Sequence, residues 1–186
     1  MKNNNDLVSV LIIMYNSAST IIETLDSIKN QTYSNLELII SDDFSSDNSI
    51  KICEEWIKVN ADRFYNLRLI TVTENTGIPA NANRCIKASQ ANWVKFIAGD
   101  DTLKIDCIQQ NMDFLLTYPE IEILQTTSDV YQGNFESANF ESSIPSLKNQ
   151  RFFNLDALAQ NKIYWQSCLC TIYIFYKKCY SESGRF

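Results

Sequence analysis

Along the first 118 residues, short continuous apolar runs give way repeatedly to stretches in which apolar side chains recur every three or four positions. The short runs are Leu7–Met14, Leu36–Ser41, Leu67–Thr73 and Trp93–Ile97, and their β-branched and aromatic content predicts strands. Between them, Ile21, Ile22, Leu25 and Ile28 mark one helical face, with Thr20 and Glu23 spaced as a capping box. Ile50, Cys53 and Ile57 mark a second, led by Asp47 or Ser49 at the N-cap. A third helix opens at Pro79 and turns Ala82, Cys85 and Ile86 inward. A fourth carries Ile105, Ile108, Met112, Leu115 and Leu116, and ends before Pro119.

Strand followed by helix, four times over, predicts βαβ units and an α/β fold: a mainly parallel central sheet flanked by helices. Val8–Ile13 and Leu36–Ile40 are nearly unbroken in apolar residues, as strands buried on both faces are. From Gln132 to Gln150 the chain turns to Gly, Asn, Ser, Glu and Pro, which predicts a long surface loop. Asn154–Gln160 is expected to be a short helix and Leu169–Tyr176 a last strand.

Composition narrows the function classes. A chain of 186 residues is one domain, or one domain and part of another. A net charge of −6 argues against a broad nucleic-acid surface, which needs clustered Lys and Arg. Six cysteines lie in apolar segments without a Cys-x-x-Cys pair, and no histidine is present to complete a zinc site. They are expected to be reduced core residues of a cytoplasmic protein. The longest apolar stretch, Leu7 to Tyr15, is nine positions against about 20 for a membrane helix, so association with the inner face of the cell membrane would be peripheral.

In an open parallel sheet, ligands bind at the carboxyl ends of the strands. The four strand exits are Tyr15-Asn16, Ser41-Asp42-Asp43-Phe44-Ser45-Ser46-Asp47, Glu74-Asn75-Thr76-Gly77 and Ala98-Gly99-Asp100-Asp101. Each is polar, and two carry adjacent carboxylates. Any one of them serves equally well as a turn or a helix cap. Together they point to a site, because adjacent carboxylates repel unless a cation offsets them. The chain has no G-x-G-x-x-G and no P-loop signature. A diphosphate in this cleft would therefore need a divalent ion, and carboxylate oxygens suit Mg²⁺ or Mn²⁺.

These residues resemble family 2 glycosyltransferases of the GT-A type. The resemblance rests on Val8 to Asn16, on Leu25-x-Ser27-Ile28-x-x-Gln31-Thr32-Tyr33, and on Glu37 to Asp43 with Ser45 and Asp47. Asn75-x-Gly77-Ile78, Asn83 and Trp93 to Asp101 complete the series in order. It implies a single GT-A domain over 1–186, with a nucleotide-sugar-binding core at 1–118 and a partial acceptor-side region at 119–186. It further implies that Tyr15 packs on the nucleobase, that Asp43 accepts from it with Asp42 in support, and that Asn83 lies near base or ribose. Asp100 would face ribose or sugar, and Asp101 would hold Mn²⁺ or Mg²⁺ on the diphosphate.

The implied reaction moves a sugar, with inversion, from a UDP-, GDP- or dTDP-linked donor to a saccharide or lipid-linked acceptor in surface polysaccharide synthesis. Three positions depart from the usual pattern: Ala98 where an aspartate is common, Ala91 for a glycine, and Ala82 for an arginine that Arg84 stands near enough to replace. Gly184-Arg185-Phe186 matches the element preceding the family's base-bearing helix, so the general base is expected beyond Phe186. Asp129 and Glu182 are carboxylates outside the expected place. The alternatives are a donor-binding fragment that lacks its base and, from another class, a nucleotidyltransferase. Against the latter, Asn16-Ser-Ala-Ser-Thr20 has no Gly, Lys or Arg.

Overall fold

Seven consecutive residues of β1 (Val8–Met14) and seven of β2 (Leu36–Asp42) are buried almost without exception, because each strand has a neighbour on both sides and cover on both faces. The computed structural model describes residues 5–133, 137–144 and 173–177. The other strands are β3 (Asn66–Ile70), β4 (Trp93–Ala98), β5 (Ile123–Gln125), β6 (Ser128–Tyr131), β7 (Phe140–Ile144) and β8 (Tyr173–Tyr176). A six-stranded sheet runs β3-β2-β1-β4-β8-β5. The pairs β1–β2, β1–β4 and β2–β3 are parallel, and β8 lies antiparallel to β4.

Four helices connect or follow the parallel strands: α1 (Ile21–Lys29), α2 (Ser49–Asn60), α3 (Ile78–Ala88) and α4 (Cys107–Thr117). Strand residues alternate between faces. Leu11, Ile39 and Val94 pack with Cys85 and Ile86 of α3. Met14 points the other way, and its sulfur lies 3.7 Å from Cys53 of α2. The indole N–H of Trp56 joins α2 to α1 by donating to Asp26 at 2.9 Å.

Several expectations shift. Thr20 makes no capping-box bond; its hydroxyl donates to the Gly99 carbonyl at 2.9 Å instead. The N-cap of α2 is Asn48, while Asp47, one residue outside, accepts the Ser49 N–H at 2.9 Å. Ile22 and Ile105 are largely exposed, and α4 begins only at Cys107. β3 stops at Ile70, short of Thr73. The last strand's described portion begins at Tyr173, and Asn154–Gln160 lies outside the described residues.

The largest correction concerns the loop expected from Gln132. Its segment Phe140–Ile144 is β7, paired antiparallel with β6 and joined by a ring contact between Tyr131 and Phe140 at 5.7 Å. Polar residues fill this hairpin, so no apolar run announces it. The chain divides into two compact units, one holding residues up to Leu124 with those from Tyr173 onward, the other Gln125–Ile172. Among the described residues, no helix is long and apolar enough to cross a membrane.

Candidate functional site

The exits of β1 and β2 are stitched side by side. The Asp43 N–H donates to the Met14 carbonyl at 3.0 Å, and the Asn16 N–H to the Ser45 hydroxyl at 2.8 Å. Ser46 N–H returns a bond to the Asn16 side-chain oxygen at 2.8 Å. Deeper in, the Ser17 and Ala18 amides donate to Ser49 Oγ at 2.8 Å and to Asp47 Oδ2 at 3.0 Å. Asn16 at φ 51° and Phe44 at φ 71° hold the left-handed turns this arrangement requires. Asparagine takes that conformation readily; a bulky aromatic does so at a cost.

Within these loops the first carboxylate pair is fully engaged. Asp42 is completely buried and accepts the Ser45 N–H at 2.9 Å and the Ser45 hydroxyl. Asp43 accepts the Thr76 hydroxyl at 2.6 Å, the Gly77 N–H at 2.7 Å and the Thr76 N–H at 3.1 Å. The Arg84 guanidinium closes on it at 2.6 Å, and also donates to Thr76 Oγ1. Burial alone would raise the pKa of Asp43, but the bonds from Thr76, Arg84 and Gly77 outweigh it and hold the group below the ordinary carboxylate range. The cation that offsets this pair is thus Arg84 on α3, two positions after Ala82. Asn81, not singled out by sequence, sits buried beneath and accepts from Arg84 at 3.2 Å while donating to the Met14 carbonyl. Asn83 is half-buried on the same helix, and Tyr15 is exposed.

The second pair is different. β4 ends at Ala98, and Gly99 passes so close to β1 that a Cβ there would lie 2.8 Å from both Met14 Cβ and Ser17 Oγ. Gly99 N–H donates to the Ile13 carbonyl at 3.0 Å, which fixes the turn against β1. Asp100 on this turn is exposed and Asp101 half-buried. Burial first, then the neighbouring Asp100 charge, pushes the Asp101 carboxyl up to about 6. Among the described residues, the ion pair Arg84–Asp43 has no counterpart at Asp100 or Asp101. Among the same residues no group of three or more His, Cys, Asp or Glu converges on one point. Two carboxylates supply only part of an octahedral oxygen shell; they fit Mg²⁺ or Mn²⁺ whose remaining ligands are phosphate oxygens and water.

The loop beyond Asp101 is held by α1. Gln31 donates to the Lys104 carbonyl at 2.7 Å and accepts the Ile108 N–H at 3.1 Å, and Ser27 accepts the Leu103 N–H. Arg63 clamps the α1–β2 connection by donating to the carbonyls of Lys29, Gln31, Tyr33 and Ser34. No local spacing signals that role, since its partners lie about thirty residues earlier. Cys53 and Cys85 are buried free thiols that burial pushes up to about 12, and Cys107 is free and half-buried. Cys168, Cys170 and Cys179 lie outside the described residues, as does Glu182. Asp129 accepts the Ser143 hydroxyl at 2.7 Å within the β6–β7 hairpin.

The fold recurs in solved structures. Over 95% of its length the chain superposes on S. aureus TarS (residues 1–349, in complex with UDP-GlcNAc), at a TM-score of 0.73 and 20% identity, covering 47% of that chain. It likewise matches a Pyrobaculum calidifontis mannosyltransferase, PcManGT, in complex with GDP-Man and Mn²⁺, at a TM-score of 0.68 and 18% identity, over 96% of this chain and 47% of that one. These likenesses establish the shared GT-A fold. In sequence, the amylovoran biosynthesis glycosyltransferase AmsB of Erwinia amylovora is 31% identical over 133 residues, 64% of this chain and 43% of that protein. The chain spans about half or less of the length of the curated relatives it matches. The family model for glycosyl transferase family 2 matches residues 9–176, nearly the whole of the sequence. On that match, with the sheet order and the loops at its carboxyl edge, the chain belongs to glycosyl transferase family 2.

Proposed function

We propose that this chain forms the donor-binding part of a metal-dependent, inverting glycosyltransferase that passes a sugar from a nucleoside diphosphate to a saccharide or lipid-linked acceptor in polysaccharide assembly. The observation that carries the reading is the Asp100–Asp101 pair: two adjacent carboxylates at the sheet's carboxyl edge, one of them pushed up to about 6, with no protein cation among the described residues to offset them. Such a pair costs stability unless a ligand makes use of it. Solved neighbours of the same fold hold UDP-GlcNAc in one case and GDP-Man with Mn²⁺ in another, and the amylovoran relative supports a place in polysaccharide synthesis.

In this reading Tyr15 packs on the nucleobase, while Asp43, steadied by Asp42, and Asn83 approach the base and ribose. Asp100 faces the ribose or sugar, and Asp101 holds the metal. The bound ion would neutralise charge on the departing diphosphate. The chain's own residues bind and orient the donor and shield it: the rigid stitching of the first two loops fixes the base end, and the Gly99 turn fixes the diphosphate end. The three described cysteines are unpaired, in keeping with a cytoplasmic setting at or near the inner face of the membrane.

Calorimetric titration with UDP, GDP and dTDP in the presence of Mn²⁺ tests the reading. At least one should bind, and the affinity should drop by at least about tenfold when the metal is chelated or in Asp101→Ala. Silence from all three nucleotides rejects donor binding. Unchanged affinity in Asp101→Ala rejects the metal role of that residue.

A further inference from the structure

Glycine adopts the widest range of backbone angles of any residue, so by itself it fixes its neighbours least. Gly99 stands directly before the Asp100–Asp101 pair, and the peptide unit that follows it must be held from outside if the two carboxylates are to keep one position. On the near side, the Gly99 N–H donates to the Ile13 carbonyl at 3.0 Å. On the far side, the Thr20 hydroxyl donates to the Gly99 carbonyl at 2.9 Å, across 79 positions of sequence. That carbonyl shares one planar unit with the Asp100 N–H, so this single bond orients the start of Asp100. The Asp101 N–H then closes the turn on the Ala98 carbonyl at 3.3 Å.

Thr20 forgoes its usual task to make this bond. It is the N-cap of α1, where a threonine oxygen ordinarily accepts an N–H from the helix's first turn. Thr20 makes no such bond; its one hydroxyl proton goes to the Gly99 carbonyl, with the Ser17 carbonyl farther off at 3.3 Å. The base end of the cleft has ties of its own that do not pass through Thr20: Asn16 to Ser45, Ser46 to Asn16, and Asp43 to Met14. Loss of the Thr20 hydroxyl should therefore be felt at the Asp100–Asp101 end and not at the base end.

We infer that Thr20 is a positioning residue for the Asp100–Asp101 pair, acting through the Gly99 carbonyl, and that its hydroxyl sets part of the metal dependence of donor binding. The inference rests on the metal-dependent donor binding proposed above. Valine has nearly the shape of threonine but no proton to donate, so it removes this bond and little else, whereas serine keeps the donor.

The experiment compares wild type with Thr20→Val and Thr20→Ser, titrating UDP, GDP and dTDP in Mn²⁺ and again in EDTA. For each nucleotide that binds wild type, the gain in affinity brought by the metal should shrink about three- to tenfold in Thr20→Val, the size of one net hydrogen bond. Affinity in EDTA should be unchanged, and Thr20→Ser should recover the gain. Thr20→Val should still melt cooperatively, since no cap bond is lost. A metal gain that is undiminished in Thr20→Val overturns the inference alone. An equal loss in EDTA, a gain that serine fails to recover, or a Thr20→Val chain without a cooperative melt also overturns it, by showing that Thr20 serves the fold instead. Wild type that binds no nucleotide, or binds equally well in EDTA, removes the metal-dependent reading and this inference with it.

Discussion

Gly99 shows how one residue can place a whole site. Its lack of a side chain lets the β4 exit approach β1, with the Ile13 carbonyl accepting its N–H and Thr20 donating to its carbonyl. A methyl group there would press on Met14 Cβ and Ser17 Oγ at 2.8 Å, and Met14 is buried strand residue with nowhere to move. Gly99→Ala should therefore destabilise the chain by about 1–3 kcal/mol, the usual cost of overpacking. It should also shift the Asp100–Asp101 turn, so that nucleotide affinity falls further than stability alone explains. Urea melts with parallel nucleotide titrations check this, and a variant as stable and as tight-binding as wild type contradicts it. In the sequence, Gly99 was visible as part of Ala-Gly-Asp-Asp; the close approach that demands a glycine was not, because Ser17 stands 82 positions earlier and only the fold brings it near.

Among the elements, β4 carries an oddity. Its alternation puts Trp93, Lys95 and Ile97 on one face, and Lys95 is fully buried, with only the Cys107 thiol of α4 to favour its charge. Burial pushes its pKa down to about 8, opposed only by Cys107 on α4. The folded value lies below the unfolded one of about 10.5, so the folded state holds its proton less tightly. Stability should thus rise with pH between about 8 and 10.5, and the penalty is at its full size below pH 8. Lys95→Met should be more stable than wild type at pH 7, by about 1–3 kcal/mol, with the gap closing as the pH climbs through that window. Chemical denaturation of both proteins across pH 7 to 10 measures this; a less stable Lys95→Met would mean that the ammonium group has a binding partner. The run Trp93–Ile97 was readable as a strand from its pattern, and β4 indeed forms there. The cost of the lysine within it was not readable, since it depends on α4 and on β8 lying alongside.

For the whole molecule, stability should be graded across the sheet. β1 and β2 are buried nearly throughout and bonded on both sides, whereas β3 forms an edge and is only half-buried. Amide hydrogen exchange should find the slowest amides in Val10–Ile12 and Leu38–Ile40, exchanging through global unfolding, and faster ones in Leu67–Ile70. Equal protection in β3 would mean that this edge is covered in solution. The parallel pairing of the first four strands was legible in the sequence, because alternation of strand and helix demands βαβ crossovers. The antiparallel entry of β8 beside β4 and the β6–β7 hairpin were not, because pairing partners in those cases lie far apart or lack an apolar signature.

By itself, the sequence determined which segments become strands and helices between residues 7 and 118, and that four polar exits share one edge. Apolar runs and three-to-four-residue spacing are local properties, and parallel connectivity carries each strand's end to the same side. Only the tertiary structure decided which acidic groups are engaged by protein donors and which are not. Asp42 and Asp43 look no different from Asp100 and Asp101 on paper. Ser45, Thr76, Gly77 and Arg84 engage the first pair, and no cation among the described residues offsets the second. The state of a carboxylate is fixed by the donors and the dielectric around it, and folding gathers much of that surrounding from distant parts of the chain.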